Sequence, residues 1–593
     1  MQNPGFETSD ALLAKTPFRA LSPFIERWAM DGLAKARQGA PHGGETFFDD
    51  LLKSLKIGCE CAPEDLDRVP VTGPLLVVAN HPFGLAEGIV LGSILSKIRP
   101  DFRFLANSLL ASIPGLENRV IPVNPFGGSQ SVVQNRKPVR QCIDWLRSGG
   151  LLVAFPAGEV ATFRFPDLAI ADREWTANMA RVSRLTGSAV LPMFFHGTNS
   201  PAFHVAGLIH PLLRTALLPH ELLNKAGTTI RLSIGTPIPA DRLAAASDPT
   251  EYVRGRTLML EARAQGPDKT SRFIRLTPAK IVKPENPNLI EREIGNLPPD
   301  QLLVRHGEYA VYFTTADEIP HALREIGRLR EITFRQSGEG TGKSIDLDGF
   351  DRYYNHLLLW NQTTREIVGA YRFAKTDEVI ASFGNGGLYT NTLFRLKATF
   401  YRSIQPALEL GRSFVRPEYQ KSFFPLLLLW KGIGHYVARN SRYRTLFGPV
   451  SISQDYSPSS RDLIVSFVRS RCGNDELAAH IKPHNRFRTY KPGPCDPRNF
   501  SSLLSDLDEL SEVVADIEPD HKKIPILLRH YLNLGGQVLD FRMDKNFSNV
   551  VDGLVVLDLA KVSRRQLERY MGTEKADQFL REHGTSQLTD TAA

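Results

Sequence analysis

In the N-terminal part of this 593-residue chain, short apolar runs rich in β-branched residues alternate with stretches of helical spacing. The intervening stretches 139–146 and 175–185 have the spacing of helices that bury one face. Such alternation is typical of an α/β domain, in which helices cover the faces of a largely parallel sheet. The predicted strands are 75–78, 102–105, 120–123, 151–155, 189–195 and 230–234.

A cluster of prolines then separates this pattern from a second one. The prolines are Pro278, Pro284, Pro287, Pro298 and Pro299. Because such a segment is typical of a linker, we predict a first domain at 1–269, a linker at 270–299 and a second domain at 300–593. The second domain is predicted as α+β, with strands at 310–313, 367–373, 409–415, 446–452 and 550–557, and helices at 319–334, 393–403 and 424–440.

Composition restricts where the protein acts. Lys and Arg exceed Asp and Glu by 72 − 64 = 8, a mild excess that suits an acidic carrier protein or an anionic membrane face and does not require nucleic acid. No apolar run approaches the roughly 18 residues that span a bilayer, and the start of the chain lacks the apolar stretch of a signal peptide. The five cysteines show no C-x-x-C spacing, which favours a reducing compartment. Segment 17–33 is amphipathic, so it either lies in a lipid interface or packs on its own domain.

The first chemical motif is LLVVANHPFGLAEG at 75–88. A buried strand delivers Asn80 and His81 to its C-terminal end, which is where open α/β sheets place their sites. Glu87 follows at the predicted start of a helix, from which a carboxylate can reach back to one imidazole nitrogen of His81. The other nitrogen is then left as a general base for a hydroxyl proton near neutral pH.

Three further blocks end or flank predicted strands in the same sheet: ENRVIPVN at 117–124, FPAGEV at 155–160 and VLPMFFHG at 190–197. In this order the four blocks resemble those of the glycerolipid acyltransferase family, over roughly residues 70–240. The resemblance implies that His81 with Glu87 activates an acceptor hydroxyl, and that Arg119 binds an anionic part of the acceptor. It further implies substrate contacts by Asn80, Phe155, Pro156, Gly158 and Glu159.

Two departures from that family's pattern concern its acidic positions. The acid after His81 comes one residue late, as Glu87 after Ala86, and Ala157 replaces the glutamate of the F-P-E-G block. Together with DREW at 172–175, the H-P-F-G-x-x-E-G pattern instead resembles the subfamily that O-acylates lyso-aminolipids. This makes a glycerol-phosphate acceptor less suitable than a lyso-aminolipid.

The second domain carries LREITFR at 329–335, DLDGFDRYYNH at 346–356, IVGAYRF at 367–373 and LELGRSFV at 408–415. Each block alone has an ordinary explanation as a solvated loop or a surface ion pair. Their order resembles the acyl-homoserine-lactone synthases and the related ornithine N-acyltransferases, which have the GNAT fold. That resemblance implies amine recognition by Asp346, Asp348 and Asp351, a catalytic role for Glu409, and a cleft lined by Arg372 and Arg412. Asp544 and Asp552 are either further site acids or caps of a buried strand.

The acyl donor is expected to be carried by acyl carrier protein. GNAT enzymes that use coenzyme A hold its pyrophosphate on a glycine-rich loop at a helix N-terminus, and RPEYQKSFFP at 416–425 contains no glycine. An acidic carrier protein also matches the basic excess of the chain. No cofactor or metal site is expected.

In this order the two domains resemble the bifunctional ornithine lipid synthases. The resemblance implies N-acylation of ornithine by the second domain and O-acylation of the product by the first, at the cytoplasmic face of a bacterial membrane without a spanning helix. Three alternatives remain: glycine, glutamine or lysine as the acceptor, a 1-acylglycerol-3-phosphate acyltransferase fused to an unrelated N-acyltransferase, or a non-catalytic module that binds lipid or carrier protein.

Overall fold

The computed structural model describes residues 47–107, 110–111, 116, 118–123, 136–164, 169–264, 278–489, 495–544 and 549–584, the side chains of 211 and 212 excepted. The amphipathic segment predicted at 17–33 lies outside these residues. The chain forms two compact units, Met1–Gly266 with Lys491–Lys522, and Pro267–Tyr490 with Lys523–Ala593.

The first unit is built on a seven-stranded sheet of order β1-β9-β8-β2-β5-β3-β4. From β8 through β4 all neighbours are parallel, and β9 pairs antiparallel with β8. Parallel pairing brings the C-terminal ends of β2, β5 and β8 to one edge, as the sequence predicts. The strands are β1 (Gly58–Glu60), β2 (Leu75–Ala79), β3 (Phe102–Asn107), β4 (Val120–Val123), β5 (Leu151–Ala154), β6 (Thr162–Arg164), β7 (Ala169–Ala171), β8 (Ala189–His196) and β9 (Thr229–Ile234).

Helices cover this sheet, and every residue of β2 and β5 is buried because the sheet is covered on both faces. The fold class predicted for this unit is confirmed. Up to residue 264 the described helices are α1 (Phe47–Leu55), α2 (Pro63–Leu66), α3 (Ala86–Ile98), α4 (Arg136–Arg147), α5 (Asn178–Thr186), α6 (Pro201–Ile209), α7 (Pro211–Asn224), α8 (Ala240–Ala245) and α9 (Pro249–Met259).

The second unit contains an eight-stranded sheet of order β10-β11-β12-β13-β15-β16-β19-β18. Its neighbours are antiparallel except β15 and β16, which run parallel and pair only over Ala407–Glu409 and Thr445–Phe447 before they separate. The strands are β10 (Leu302–His306), β11 (Tyr309–Thr314), β12 (Asn355–Asn361), β13 (Glu366–Lys375), β14 (Phe394–Leu396), β15 (Ala407–Val415), β16 (Thr445–Ile452), β17 (Ile481–Pro483), β18 (Gln537–Asp544) and β19 (Val550–Asp558).

None of the helices in the described part of the chain combines the length and the hydrophobicity that a membrane span requires. From residue 278 onward the described helices are α10 (Pro287–Gly295), α11 (Pro320–Gln336), α12 (Thr376–Phe383), α13 (Thr390–Leu393), α14 (Ala398–Ile404), α15 (Phe424–Arg439), α16 (Pro458–Cys472), α17 (Asp475–Ala478), α18 (Pro497–Ser501), α19 (Leu507–Ile517), α20 (Ile526–Asn533), α21 (Arg564–Met571) and α22 (Thr573–Glu582).

The helix predicted at 393–403 is wrong in its first turn. Phe394 and Leu396 alternate with exposed Arg395 and form β14, which pairs with β17 through Pro483 and Ile481. Their side chains are buried in the core of the second unit, so tertiary packing overrides the helical spacing of this segment.

Two stretches differ from the predicted domain limits. Part of the predicted linker is ordered, because α10 buries Ile290 and Ile294 in a core of the second unit. The segment Lys491–Lys522, predicted to belong to the second domain, belongs to the first unit. In that segment α19 places Asp516, 1% exposed, against Arg256 of α9 with an Oδ2–Nη2 distance of 2.9 Å.

Candidate active sites

His81 lies two residues after the end of β2, at the edge of the sheet where β2, β5 and β8 end. Gly84, with a φ of +98°, turns the chain back so that α3 begins at Ala86. The His81 ring stacks on Phe155, the first residue after β5, at 4.3 Å between ring centroids. The two blocks that the sequence placed at one edge are therefore in contact.

Glu87 lies in the first turn of α3 with a fully buried side chain. Its Oε1 is 3.2 Å from Nδ1 of His81 and accepts the backbone N–H groups of Phe83 at 2.6 Å and Gly84 at 3.1 Å. These bonds fix the carboxylate beside Nδ1, which is buried, while 16% of the His81 side chain stays exposed. The pair predicted from the sequence is present, with Nε2 left for a substrate.

A second carboxylate holds the backbone of His81. Asp172, the first residue of DREW, accepts the His81 backbone N–H at 3.2 Å and the indole N–H of Trp175 at 3.1 Å. Burial disfavours the imidazolium, but Glu87 and Asp172 outweigh it and raise the pKa of His81 above 6.5. Burial also raises the pKa of Asp172. Asp172 was not among the predicted site residues, although its motif marked the position.

Asn80 has a structural role in this arrangement. Its amide donates to the Phe195 carbonyl at 3.0 Å and accepts the Phe195 N–H at 2.7 Å, so both amide atoms tie the end of β2 to β8. Asn80 is 6% exposed. Asn80 was predicted to contact the substrate. Because both of its amide atoms bond Phe195, Asn80 instead positions the following residue, His81.

Arg119 is not brought to the site. It precedes β4, and its guanidinium hydrogen-bonds the carbonyls of Pro100 and Phe102 and lies over the Phe102 ring. Phe102 starts β3 and Pro100 precedes it, and β3 runs parallel to β4. Because parallel strands share their ends, Arg119 lies at the edge of the sheet opposite His81. Arg119 was predicted to contact the acceptor, but it precedes its strand whereas His81 follows β2, and parallel pairing keeps those two ends at opposite edges.

The FPAGEV block forms a turn after β5. Pro156 is buried and its carbonyl accepts the Thr176 N–H, and Gly158, with a φ of +71°, is exposed. Glu159 is held by two cations, Arg173 of DREW and Arg214 of α7, each with an N–O distance of 2.5 Å. Glu159 thus links the turn after β5 to DREW and to α7, and of its two partners only Arg173 lies in a motif noted in the sequence.

In the second unit, Asp351 joins two buried arginines. It is 2.8 Å from Arg330 of α11 and 3.2 Å from Arg372 of β13, and it accepts the Asp348 N–H at 2.9 Å. Burial alone would raise the pKa of Asp351, but the two guanidinium groups hold it well below its usual range. Asp351 is 3% exposed and its oxygens are engaged, so it orders the arginines and does not face an amine.

Asp346 and Asp348 lie on the side of this cluster that faces β15. Asp348 accepts from Arg372 at 2.6 Å, and its other oxygen is 3.8 Å from the Arg412 guanidinium. Asp346 is 3.7 Å from Arg412 and 3% exposed, and burial raises its pKa. Arg412 has a φ of +49° in the irregular part of β15, and its guanidinium lies over the Tyr389 ring. The structure therefore gathers Asp346, Asp348, Arg372 and Arg412 as predicted.

Glu409, predicted to be catalytic, is buried behind this cluster. Its carboxylate accepts the hydroxyls of Tyr354 and Thr390 and the backbone N–H groups of Tyr389, at 3.2 Å, and Thr390, at 2.5 Å. Burial raises the pKa of Glu409, which is 1% exposed. With four donors engaged, Glu409 fixes Tyr389 over Arg412 and is placed as a positioning residue.

Further acids lie where β15 and β16 separate. Asp552 of β19 is 6% exposed and accepts from Ser451 of β16 at 3.0 Å, and burial raises its pKa to about 6. Burial, Asp552 and Asp455 raise the pKa of Glu339 to about 8. The Arg412 guanidinium acts in the opposite direction on the pKa of both Glu339 and Asp552. Asp544 pairs with Arg542 at 3.3 Å. Of the two acids left open by the sequence, Asp552 is in electrostatic reach of the predicted site residue Arg412.

Comparison with known proteins places both units. A family model described as an acyltransferase matches residues 50–265, and one described as an acetyltransferase (GNAT) domain matches residues 329–430. The fold and the His81 site thus define an enzyme that transfers acyl groups.

Three relatives represent the two halves of the chain. A glycine N(alpha)-acyltransferase of Phocaeicola vulgatus is 37% identical over 185 residues, which are 29% of this chain and 57% of that protein. A lyso-glycine lipid O-acyltransferase of the same organism is 30% identical over 218 residues, which are 36% of this chain and 75% of that protein. An L-ornithine N(alpha)-acyltransferase of Brucella abortus is 27% identical over 241 residues, which are 40% of this chain and 77% of that protein.

The chain spans 57% and 64% of the two glycine N(alpha)-acyltransferases that it matches. With an acyltransferase domain followed by a GNAT domain, it belongs to the family of bifunctional acyltransferases that resemble the ornithine lipid synthases. The family resemblance drawn from the sequence is confirmed.

Proposed function

We propose that this chain makes a diacylated aminolipid in two steps. The second unit transfers a 3-hydroxyacyl group from acyl carrier protein to the α-amine of ornithine. The first unit then transfers a second acyl group to the 3-hydroxyl of the product, at the cytoplasmic face of the membrane. The observation that carries the proposal is the buried contact of Glu87 with Nδ1 of His81.

In the first unit, the neutral His81 ring carries its proton on Nδ1, where Glu87 stabilises it, and Nε2 is the base. Nε2 removes the proton of the acceptor hydroxyl as its oxygen attacks the carbonyl carbon of an acyl thioester. The carbon–sulfur bond then breaks, and the imidazolium returns the proton to the departing thiolate. An ester and a free thiol result, and His81 is neutral again.

Replacing Glu87 by glutamine should change the pH dependence of O-acylation. Because neutral His81 is the active form and its pKa is raised, the wild-type rate should rise with pH through a midpoint above 6.5. Glu87→Gln removes the negative charge, so the midpoint should fall, and the plateau should drop at least about tenfold because the tautomer is no longer fixed. The rate is measured from pH 5 to 9.

The glutamine side chain can still accept the Phe83 and Gly84 N–H groups, so the fold should be kept. Glu174→Gln, an exposed acid beside Asp172, serves as the control and should leave the midpoint in place. An unchanged midpoint in Glu87→Gln would remove Glu87 from the mechanism.

The acids of the second unit support ornithine as the acceptor. Beyond Asp346 and Asp348, the buried Asp552 and the half-buried Glu339 lie where β15 and β16 separate, and desolvation has raised the pKa of both. A bound cation favours the ionised form of such acids, so the cluster suits a substrate with a second ammonium group. Glycine is the second candidate, because the glycine N(alpha)-acyltransferase is 37% identical and the ornithine enzyme 27%.

We propose acyl carrier protein as the acyl donor because of the sequence that connects β15 to α15. This connection, where a GNAT enzyme that binds coenzyme A has its glycine-rich loop, contains Pro417 and Phe423 and no glycine. Purified protein should therefore N-acylate ornithine with 3-hydroxyacyl carrier protein much faster than with the coenzyme A thioester. Equal rates would contradict the proposed donor.

Expression in a bacterial host without aminolipids, followed by mass spectrometry of its lipids, tests the whole proposal. The expected new species is ornithine that carries one amide-linked and one ester-linked acyl chain. A species with glycine in place of ornithine would assign the second candidate. An unchanged lipid profile, with the protein present in full length, would contradict the proposed function.

A further inference from the structure

The α6–α7 hairpin presents an apolar surface beside the His81 site. Four of its side chains are exposed around the turn between the two helices, and we name them the α6–α7 patch: Val205 (56%), Leu208 (50%), Ile209 (72%) and Leu213 (38%). Contiguous exposed apolar side chains of this kind mark an interaction surface.

The hairpin is firmly held at its base. Ser200 caps α6 by accepting the Phe203 N–H, and Glu221 of α7 accepts the N–H and the hydroxyl of Ser200 at 2.9 and 2.5 Å. Phe203 is completely buried. Since the exposed side chains stand on a fixed support, their exposure is a property of the folded hairpin.

The same hairpin forms part of the rim of the site. Leu218 of α7 packs so closely on Gly84 that a Cβ there would lie 2.7 Å from its side chain. Arg214 of α7 binds Glu159, and Asn199, just before α6, donates to the Phe83 carbonyl at 3.2 Å. The hairpin that bears the patch is therefore in contact with the HPFG turn, residues 81–84, which carries His81.

The charges of the hairpin match an anionic surface. From Pro201 to His220 the sequence contains no carboxylate. Two cations flank the hairpin: Arg173, 70% exposed, and Lys225, whose Nζ is 4.6 Å from the Phe83 ring centroid. Of the neighbouring carboxylates, Glu159 also pairs with the buried Arg214, and Glu221 is 2% exposed and bonded to Ser200, so neither presents a free negative charge at the surface. An apolar surface flanked by cations is the combination that binds lipid bilayers.

We propose that the α6–α7 patch is the surface by which this protein lies on a lipid bilayer. The inference rests on the proposed function, because the acceptor of the first unit is then an amphiphile whose chain is embedded in that bilayer. With the patch in the lipid, the hydroxyl of a lyso-aminolipid reaches the HPFG turn without full withdrawal of the acyl chain into water. The hairpin thus couples membrane contact to access to His81.

The test uses the full-length protein and vesicles of equal parts phosphatidylcholine and phosphatidylglycerol. Leu208→Glu combined with Ile209→Glu should weaken cosedimentation with the vesicles roughly 10- to 100-fold, because two apolar side chains no longer enter the interface. Val71→Glu and Leu185→Glu are matched controls, since both positions are exposed, at 69% and 47%, and lie outside the hairpin. Each control should bind like the wild type.

Activity separates this inference from the function on which it rests. A short-chain lyso-aminolipid, dispersed below its micelle concentration, should be acylated equally by the wild type and the double variant, which also shows that the variant is folded. Only the acceptor embedded in vesicles should be acylated more slowly by the variant. If the wild type fails on the dispersed acceptor, the proposed function fails, whatever the vesicle binding.

Vesicle binding that is unchanged in the double variant would overturn the inference. So would a wild-type dimer that the double variant converts to a monomer with vesicle binding retained, because a second copy would then cover the patch. Binding to pure phosphatidylcholine vesicles tests how much the flanking cations contribute to vesicle binding. It should be weaker than binding to the mixed vesicles, and equal binding would contradict the charge part of the inference.

Discussion

His81→Ala should lower the rate of O-acylation by about 10²- to 10⁴-fold, the usual contribution of a positioned general base. N-acylation by the second unit should continue at its normal rate, because the variant removes no group from that unit. Cells that express the variant should therefore accumulate the mono-acylated aminolipid. The measurement is the rate of ester formation by purified protein together with mass spectrometry of the lipids.

His220→Ala is the matched control, since His220 is an exposed histidine of the same unit. It should leave both acylation rates unchanged. A His81→Ala protein that forms the ester at the wild-type rate would exclude the mechanism and would favour a non-catalytic binding module in the first unit.

Asp516→Ala should lower the free energy of unfolding of the first unit by about 3–5 kcal/mol, the usual effect of breaking a buried ion pair. The carboxylate is 2.9 Å from Arg256, which is completely buried at its side chain, and 2.7 Å from Arg68. It also accepts the N–H and hydroxyl of Thr236. Its loss leaves a buried guanidinium without its main counter-charge. The change in the free energy of unfolding is measured by denaturant unfolding, with the loss of O-acylation as the signal.

Glu60→Ala provides the comparison, because the Glu60–Arg231 pair is about half exposed on both sides. Pairs of this kind contribute no more than about 1 kcal/mol. Equal effects of the two substitutions would show that the Asp516 network does not stabilise the first unit.

The sequence predicts much of the first site because its signals are local. Strands β2, β5 and β8 are short buried runs, and parallel pairing places their ends at one edge. Glu87 follows His81 by six residues, so the turn at Gly84 suffices to bring the pair together. Asp172 is 91 residues from His81, and no periodicity of the chain indicates a contact over that separation.

For the second site, the sequence predicts which residues come together but not where each of them lies in the site. Motif order placed Asp348, Arg372 and Arg412 together, and the structure brings them within reach of one another. It did not distinguish residues that face the cleft from those that support it. The burial of Asp351 and Glu409 depends on Arg330 and Tyr354, which come from other elements, and burial of this kind is a property of the tertiary structure.

The segment Lys491–Lys522 has a consequence for how the chain is made. The first unit needs α19, and the second unit needs β18 and β19, yet all of these follow residue 490. Neither unit is therefore complete until the ribosome has added them, after the 490 − 266 = 224 residues that separate Gly266 from Lys491. At roughly 5–20 residues per second that interval is about 10 to 45 s. A chain that terminates before Lys491 therefore lacks part of both units, whereas one that terminates between Lys522 and Gln537 has completed the first unit only.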